Sequence, residues 1–329
     1  MKRGNIIALI VIAICFIAVP RIIVNEFYVN LASQVLIYAL FALSINMMLG
    51  YGGMVSLGHA AYLGVAGYAC ILLNIAGYDH LTAAVLSLLL STAFAGLFGV
   101  LSLRAPGLGF IMITLAIGQI VWGIAYRANE LTGGDNGLRL PERPRPFGVD
   151  IRDAESFYYF TLIVFAIALF FIWRFSRSAF GASLMGARDQ PRRMSMLGHN
   201  VWLVRWLTFV MAGFWGSVAG ILFVYYNVFL SPHAIALQQS AEILLMAILG
   251  GASTLSGPIV GAVIITLVKN VVSTYVERWN TLLGAIFVIV IIFMPYGLVP
   301  GCRQLWRRIA MKVGGRKPAR GTGASEPAA

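Results

Sequence analysis

Charged residues are scarce in this chain, and their scarcity excludes most classes of soluble protein. Only 11% of the 329 residues are charged and 60% are hydrophobic, which gives a mean hydropathy of +0.85. A soluble domain carries about 25% charged residues, and even a domain of ~300 residues buries only about 75% of its surface. A soluble enzyme, a secreted disulfide scaffold and a disordered chain are therefore excluded. The composition predicts an all-α, polytopic integral membrane protein.

Cysteine is also scarce, and the motifs of common catalytic sites are missing. The three cysteines, at positions 15, 70 and 302, form no CxxC pair, so redox and zinc chemistry are not expected. The sequence contains no GxxxxGK(S/T) nucleotide loop, no HExxH and no GxSxG. We therefore expect no catalytic residue, no metal and no cofactor in this chain.

Apolar runs long enough to cross a bilayer recur along the sequence. A spanning helix needs roughly 20 mostly apolar residues, and ten segments approach or reach that length. The predicted spans are 6–24, 31–49, 54–76, 81–103, 108–126, 157–173, 206–229, 240–250, 257–276 and 282–299, of which 157–173 and 240–250 look short. They define a transmembrane domain over residues 1–300, followed by a basic tail, 301–329, that we expect to be disordered.

Basic residues are concentrated between the spans, and their distribution indicates which loops lie on the cytoplasmic side of the membrane. They fill the 174–205 segment and the tail, whereas the 127–156 loop is nearly balanced, with five arginines and six acids. Because basic loops mark the cytoplasmic side, ten alternating spans put both termini in the cytoplasm and the 127–156 loop outside. The net charge of +12 then needs no nucleic-acid partner. A signal peptide is the alternative for the first run, but no A-x-A cleavage site precedes Pro20.

The 174–205 segment is too long for a turn and too amphipathic for a linker. Asp189 is suited to cap the N–H groups that follow it, and Pro191 is suited to a first helical turn. Gly198 is suited to the position after a helix end. These signals predict a short cytoplasmic helix over about residues 190–197.

This predicted helix is amphipathic. Met194 and Leu197 would lie on one side, with Arg192 and Arg193 exposed. Such a helix could lie on anionic lipid, or it could dock in a groove of a cytoplasmic protein.

Two glycine-rich stretches, 50–58 and 250–261, interrupt apolar runs. Irregular backbone at membrane depth persists only where protein or a water-filled cavity satisfies its polar groups. The stretches are therefore either tight connections between neighbouring helices or parts that line or hinge a pathway, and their weak similarity hints at duplicated halves. The candidate pathway or hinge residues here are Gly52, Gly53, Ser56, Gly250 and Gly251.

Isolated polar residues in apolar runs are further pathway candidates. Asn46, Thr114 and Gln119 could form interhelical hydrogen bonds of about 0.6 kcal/mol each, or they could line a pore. His59 could be a hydrogen-bonded structural residue or a switch.

Glu242 is the costliest polar residue, because a charge at mid-membrane is disfavoured by ~2.5–3.5 kcal/mol on insertion scales. No basic partner is obvious near it, since Lys269 is expected to snorkel to the outer end of its own span. Glu242 would then be protonated, or it would lie near the outer end beside Gln238 and Gln239.

Several motifs, in order over residues 30–300, resemble those of a known family. They are S-x-F-G at 178–181, A-R-D-x-x-R at 187–192, L-G at 197–198, L-G-Y-G-G-x-x-S-L-G-H-A at 49–60, T-G-G-D-N-G-L at 132–138, S-x-E at 240–242, L-G-G at 249–251 and G-P-x-x-G-A at 257–262. Together they resemble the permeases of branched-chain amino acid ABC importers, most closely the LivM-type membrane subunit.

The resemblance implies a set of partners in the cell inner membrane. These are a second related permease, two ATP-binding cassette ATPase subunits and a periplasmic substrate-binding protein, with membrane lipid around the spans. ATP hydrolysis is then expected in the partners, and docking on an ATPase becomes the favoured interpretation of 178–198. The implied coupling residues are Ser178, Phe180, Gly181, Arg188, Asp189, Arg192, Met194, Leu197 and Gly198. Three arginines, Arg188, Arg192 and Arg193, would orient docking on an acidic rim.

The substrate that the resemblance implies is a branched-chain or similar apolar amino acid. Urea or a short amide is the alternative, and a stand-alone channel or secondary carrier is a more distant one. No cluster of charged groups in the sequence offers a site for the carboxylate and ammonium of an amino acid. The resemblance also implies that the binding protein selects the substrate.

Overall fold

A computed structural model describes residues 25–141 and 153–272, together with 281, 284, 285, 288, 292 and 297–301. The predicted first span, most of the predicted tenth span, residues 142–152 of the predicted outer loop and all of the basic tail except Gly301 lie outside these residues. The described part of the chain includes the second to the eighth predicted spans in full and most of the ninth.

The described residues form helices joined by short connections. In chain order they are α1 (Glu26–Asn46), a π-helical turn (Met47–Tyr51), α2 (Ala60–Ile75), α3 (His80–Ser102), α4 (Leu108–Arg127), α5 (Asn129–Thr132), a 3-10 turn (Gly134–Asn136), β1 (Leu138–Arg139), α6 (Ala154–Ser176), α7 (Ala179–Asp189), α8 (Pro191–Met196), α9 (Val201–Asn227), β2 (Phe229–Leu230), a second 3-10 turn (Pro232–Ile235), α10 (Leu237–Gly250) and α11 (Ser256–Val272). This architecture confirms the all-α membrane fold. The antiparallel pair β1–β2 matches Leu138 with Leu230 and was not predicted.

Helix lengths separate two kinds of membrane element. Among the described residues, five helices are long and apolar enough to cross a membrane: α1 with its π-helical turn, α3, α4, α6 and α9. The apolar helices α2, α10 and α11 are shorter. At about 1.5 Å per residue, the 14 residues of α10 extend roughly 21 Å, less than the ~30 Å hydrocarbon layer. The total number of crossings stays a prediction.

Several predicted span boundaries differ from those of the helices. Helices α1 and α9 each begin five residues before the predicted starts at 31 and 206. The span predicted over 54–76 becomes helical only at Ala60, because the preceding residues follow an irregular path through the first glycine-rich stretch. The span predicted over 157–173 is short, but α6 has 23 residues. Acidic and polar residues at its start, which lower the local hydropathy, are compatible with the first turn of a helix.

Side-chain caps fix several helix starts. Asn25 accepts a hydrogen bond from the backbone N–H of Phe27 at 3.0 Å, and Asn200 accepts one from Leu203 at 3.0 Å. Each cap satisfies an N–H group that has no partner inside its helix. The starts of α1 and α9 are therefore encoded by the residue that precedes each helix.

Helix α1 lies at the centre of the molecule. It packs against α6, α9, α10 and α11, and 89% of its most apolar window is buried, against 28% for α3 and 22% for α4. Helices α3 and α4 accordingly expose apolar side chains such as Leu89 and Met112. A lipid-facing surface needs this pattern, since lipid tails are as apolar as leucine.

Glycines let α9 approach its neighbours closely. A Cβ on Gly220 would lie 2.6 Å from the backbone oxygen of Leu63 in α2, and one on Gly216 would lie 3.2 Å from His59 Nε2. Small residues permit this backbone-to-backbone packing in membranes. The α2–α9 interface therefore depends on the absence of a side chain at position 220.

We predict that Gly220→Val destabilises the chain by forcing α9 away from α2. The contact is with backbone, which cannot rotate aside, so a loss of about 1–3 kcal/mol is expected. Thermal unfolding of the purified protein in detergent, followed by tryptophan fluorescence, would measure it. Gly123→Val in α4 is the matched control, since a Cβ there meets nothing within 4 Å. Equal melting temperatures for the two variants would contradict the prediction.

Candidate functional site

Two irregular segments interrupt the membrane helices on the same side of the molecule. The first break, residues 47–59, joins α1 to α2 through the π-helical turn and contains Gly53 with φ +67°. The second break, residues 251–255, joins α10 to α11 and contains Gly251 with φ +122° and Ser253 with φ +70°. Both breaks use the left-handed region, which glycine adopts without strain.

Asn46 binds the two breaks together. Its Nδ2 donates to the carbonyl oxygen of Thr254 at 2.9 Å, and its Oδ1 accepts from the backbone N–H of Ser253 at 3.2 Å. The Ser253 hydroxyl donates to the carbonyl oxygen of Gly50 at 2.7 Å, and a Cβ on Gly50 would collide with the backbone nitrogen of Ser253. We call this contact of the two breaks the junction. It satisfies backbone groups at membrane depth by protein contacts, as irregular backbone there requires.

Other side chains satisfy the far part of the first break. The hydroxyl of Thr114 accepts from the N–H of Leu57 at 3.3 Å, and that of Ser240 accepts from the N–H of Ala60 at 3.0 Å. Thr114 is therefore an interhelical hydrogen-bonding residue, one of its two predicted interpretations. Ser240 was not predicted as a site residue, although it begins the S-x-E motif.

The remaining pathway candidates are distributed around the first break. His59 is fully buried, its Nε2 lies 2.8 Å from the Ser44 hydroxyl, and its ring stacks on Phe41 with centroids 5.3 Å apart. Tight packing of this kind favours the structural interpretation of His59. Ser56 is also buried, and Gln119 is half-buried on α4 away from the junction. A role in a pathway stays a prediction for all of them.

We call residues 178–198 the coupling segment. Its first residues pack against the end of α6. Ser178 caps α7: its hydroxyl accepts from the N–H of Gly181 at 3.1 Å and donates to the carbonyl oxygen of Phe175 at 2.7 Å. Phe180 packs on Phe175 with ring centroids 5.3 Å apart. A Cβ on Gly181 would lie 2.5 Å from the Phe175 oxygen. The S-x-F-G motif therefore sets the angle at which α7 leaves the membrane helix.

Two helices, α7 and α8, occupy the place where one was predicted. Pro191 begins α8, and Gly198 follows its end with φ +84°, as predicted. The capping role predicted for Asp189 was wrong: Gln190 stands at the cap position without a side-chain bond. Asp189 instead accepts a hydrogen bond from Arg188 Nε at 2.8 Å.

Helix α8 presents an apolar and basic surface. Met194 is half-buried and points towards α7, where a Cβ on Gly186 would lie 2.7 Å from its sulfur. Met194 and Leu197 therefore differ in burial, since Leu197 is 69% exposed. We call the exposed residues Arg192, Arg193, Met196 and Leu197 the α8 face.

Arg188 connects the coupling segment to the junction. Its Nη1 donates to the carbonyl oxygen of Gly50 and to the Ser253 hydroxyl, the latter at 3.3 Å. Its methylene stem lies so close to Gly53 that a Cβ there would be 2.6 Å from Cγ. Arg188 thus contacts both breaks at once. Of the three arginines expected to orient docking, only Arg192 and Arg193 belong to the α8 face.

Glu242 has a basic partner after all. Lys269 Nζ lies 3.1 Å and 3.0 Å from its two carboxylate oxygens. The expectation of an unpaired Glu242 was wrong because the two residues are 27 positions apart on neighbouring helices, a proximity that a search for adjacent charges cannot detect.

The sequence that forms these features matches a known family. A family model for the permease component of branched-chain amino acid transport systems matches residues 27–294, a range that includes both breaks and the coupling segment. The chain belongs to this family, and it is an integral membrane transport protein.

Individual relatives agree with the family. The chain is 27% identical over 322 residues to the high-affinity branched-chain amino acid transport permease LivM of Salmonella typhimurium, covering 91% of this chain and 75% of the relative. It is 25% identical over 336 residues to LivM of Escherichia coli K12, with coverages of 95% and 77%. It is also 23% identical over 296 residues to the permease LivH of Escherichia coli K12, with coverages of 80% and 91%. These similarities support a LivM-type permease. No solved structure is significantly similar.

We predict that Asn46→Leu, which is nearly isosteric, destabilises the junction. It leaves the Ser253 N–H and the Thr254 carbonyl without their partner. Each buried donor or acceptor that lacks a hydrogen bond lowers the stability of the fold by about 1–3 kcal/mol. The melting temperature in detergent would fall by several degrees. Gln119→Leu is the matched control, because no hydrogen bond of Gln119 is found within the described ranges. An Asn46→Leu protein as stable as this control would contradict the role given to Asn46.

Proposed function

We propose that this chain is one of two permease subunits of an ATP-driven importer for branched-chain or similar apolar amino acids. It would form the pathway with a second, related permease, and ATP hydrolysis would take place in two separate ATPase subunits. A periplasmic binding protein would deliver the substrate. The similarity to both LivM and LivH supports a pair of related permeases, since each is a permease of a high-affinity branched-chain amino acid transport system.

The observation that carries the proposal is the position of Arg188. An energy-coupled permease needs a physical connection from the surface that the motor contacts to the membrane helices that move. Arg188 lies one turn from the α8 face and donates to both breaks. Helices α7 and α8 would therefore transmit displacement of the ATPase directly to the two segments where the membrane helices are discontinuous.

The α8 face has the chemistry of a docking surface. Leu197 and Met196 are exposed apolar side chains that a complementary pocket on the motor would bury. Arg192 and Arg193 would orient the encounter with an acidic rim, an effect that salt weakens. This assignment also orients the chain: the junction and the coupling segment lie on the cytoplasmic side, and the 127–156 loop lies in the periplasm.

Reconstitution tests the proposal as a whole. The chain with its second permease, ATPases and binding protein in proteoliposomes is expected to take up leucine, isoleucine or valine only when ATP is present. Omitting the ATPases should abolish uptake. Uptake by this chain alone would instead support a channel or secondary carrier, and uptake of urea or a short amide without amino acids would support the alternative substrate.

The docking role of α8 makes a sharper prediction. Leu197→Asp puts a charge into the apolar contact, so the ATPase should be lost during purification while the spans remain folded. Arg192→Ala should weaken ATPase binding at low salt, and its difference from the unmodified chain should shrink at high salt, where the charge is screened. The rival is that α8 rests on anionic lipid, in which case both variants would retain a fully coupled complex.

Arg188→Gln provides the complementary variant. It shortens the side chain that reaches the junction and leaves the α8 face unchanged. We expect the ATPase to co-purify normally while amino acid uptake per ATP hydrolysed falls at least tenfold. Arg104→Gln is the matched control, being an exposed arginine in the connection after α3. Equal coupling in both variants would remove Arg188 from the mechanism.

A further inference from the structure

A cluster of polar side chains lies within the membrane helices, apart from the junction. Glu242 in α10 and Lys269 in α11 form its ion pair, with both carboxylate oxygens about equally close to Nζ. The Glu242 side chain is 5% exposed and that of Lys269 is 27% exposed. Eight residues separate Glu242 from Gly250, so at about 1.5 Å per residue the pair lies roughly 12 Å along α10 from the second break.

Neutral polar groups surround the ion pair. The Lys269 ammonium lies 5.8 Å from the ring centroid of Tyr38 in α1. Asn270 Nδ2 donates to Gln34 Oε1 at 3.2 Å. Gln239 contributes a buried Nε2 with no hydrogen-bond partner among the described residues. We call Gln34, Tyr38, Gln239, Glu242, Lys269 and Asn270 the polar cluster.

Stability alone does not account for this ion pair. Removing two charges from water is costly, and replacing a buried pair with apolar side chains is often neutral or stabilising. Ionisable residues inside membrane helices are accordingly rare, and by default they mark a substrate or ion pathway. Substrate sites in transporters are typically built on discontinuous helices, and α10 and α11 are the two helices that the second break separates.

We infer that Glu242 and Lys269 are contact residues for the amino acid in transit. The Glu242 carboxylate would accept hydrogen bonds from the α-ammonium group, and the Lys269 ammonium would donate to the α-carboxylate. The substrate would replace each member of the pair with a group of the same charge, so neither charge is left unpaired while the pair is open. This inference rests on the proposed function.

The surroundings of the pair suit this exchange. Lys269 is the more exposed partner, so a carboxylate can approach it first. The free Nε2 of Gln239 can donate an additional hydrogen bond to that carboxylate. Tyr38 and Phe223, whose ring centroids are 6.4 Å apart, supply aromatic surface near the apolar side chain of the substrate. An uncharged amide would leave both charges without a matching group.

The test compares removal of one charge with removal of both. Glu242→Gln, Lys269→Met and the double variant would be reconstituted with the second permease, ATPases and binding protein, and leucine uptake measured. We expect ATPase binding and basal hydrolysis to be unchanged and uptake to fall at least tenfold in all three. Gln238→Met, an exposed residue of the same helix, is the matched control and should transport normally.

The double variant separates the inference from a structural role. It removes both charges of the pair, so a merely structural pair would allow it to transport like the wild type, and that result would overturn the inference. Absence of ATP-dependent leucine uptake by the unmodified complex would instead overturn the proposed function itself.

Accessibility provides an independent measurement if the double variant fails to assemble. Lys269→Cys would be placed in a chain whose cysteines at positions 15, 70 and 302 are alanine. A charged methanethiosulfonate reagent should modify it in the assembled complex, and leucine with its binding protein should slow the reaction at least threefold. A cysteine that is not modified, or whose modification leucine does not affect, would overturn the inference.

Discussion

The need to satisfy backbone hydrogen bonds in the absence of water governs this membrane fold. Helices can be interrupted at membrane depth only where other protein groups take over the N–H and C=O partners. Asn46 does this with a single side chain, donating to Thr254 and accepting from Ser253. The two interruptions therefore support each other, and the elements that pack on them, α2, α11 and the end of α7, depend on that shared contact.

Under the proposed function, the same contact would let α7 and α8 act on the membrane helices. Rigid helices transmit force to whatever they touch, and α7 touches the junction through Arg188. The guanidinium group donates to a residue of each break. Displacement of α7 would therefore act on both breaks at once. The ion pair of Glu242 and Lys269 lies on the two helices that meet at the second break, so movement there would alter its geometry.

Local signals predicted much of this structure, and long-range proximity accounts for most of what they missed. Apolar length predicted the α3, α4 and α9 helices, and Pro191 and Gly198 predicted the limits of α8 because caps depend on adjacent residues. Asn46 and the glycines were recognised as candidates, but their contact spans more than 200 residues and has no local signal. Glu242 and Lys269 were both noted, yet pairing them requires knowing that α10 and α11 are neighbours. The orientation of Met194 towards α7 likewise depends on a contact between two helices, because Gly186 in α7 leaves room for the Met194 side chain.

The anchoring of α9 at both ends limits how the molecule can move. Near its start, Arg205 Nη2 donates to the carbonyl oxygen of Ala187 at 3.0 Å, and beyond its other end β2 pairs with β1. Its 27 residues make a rod of about 40 Å. Contacts at both ends oppose sliding of this helix along its own axis. Helix α9 would therefore keep its position, and the interrupted helices would rotate against it rather than translate.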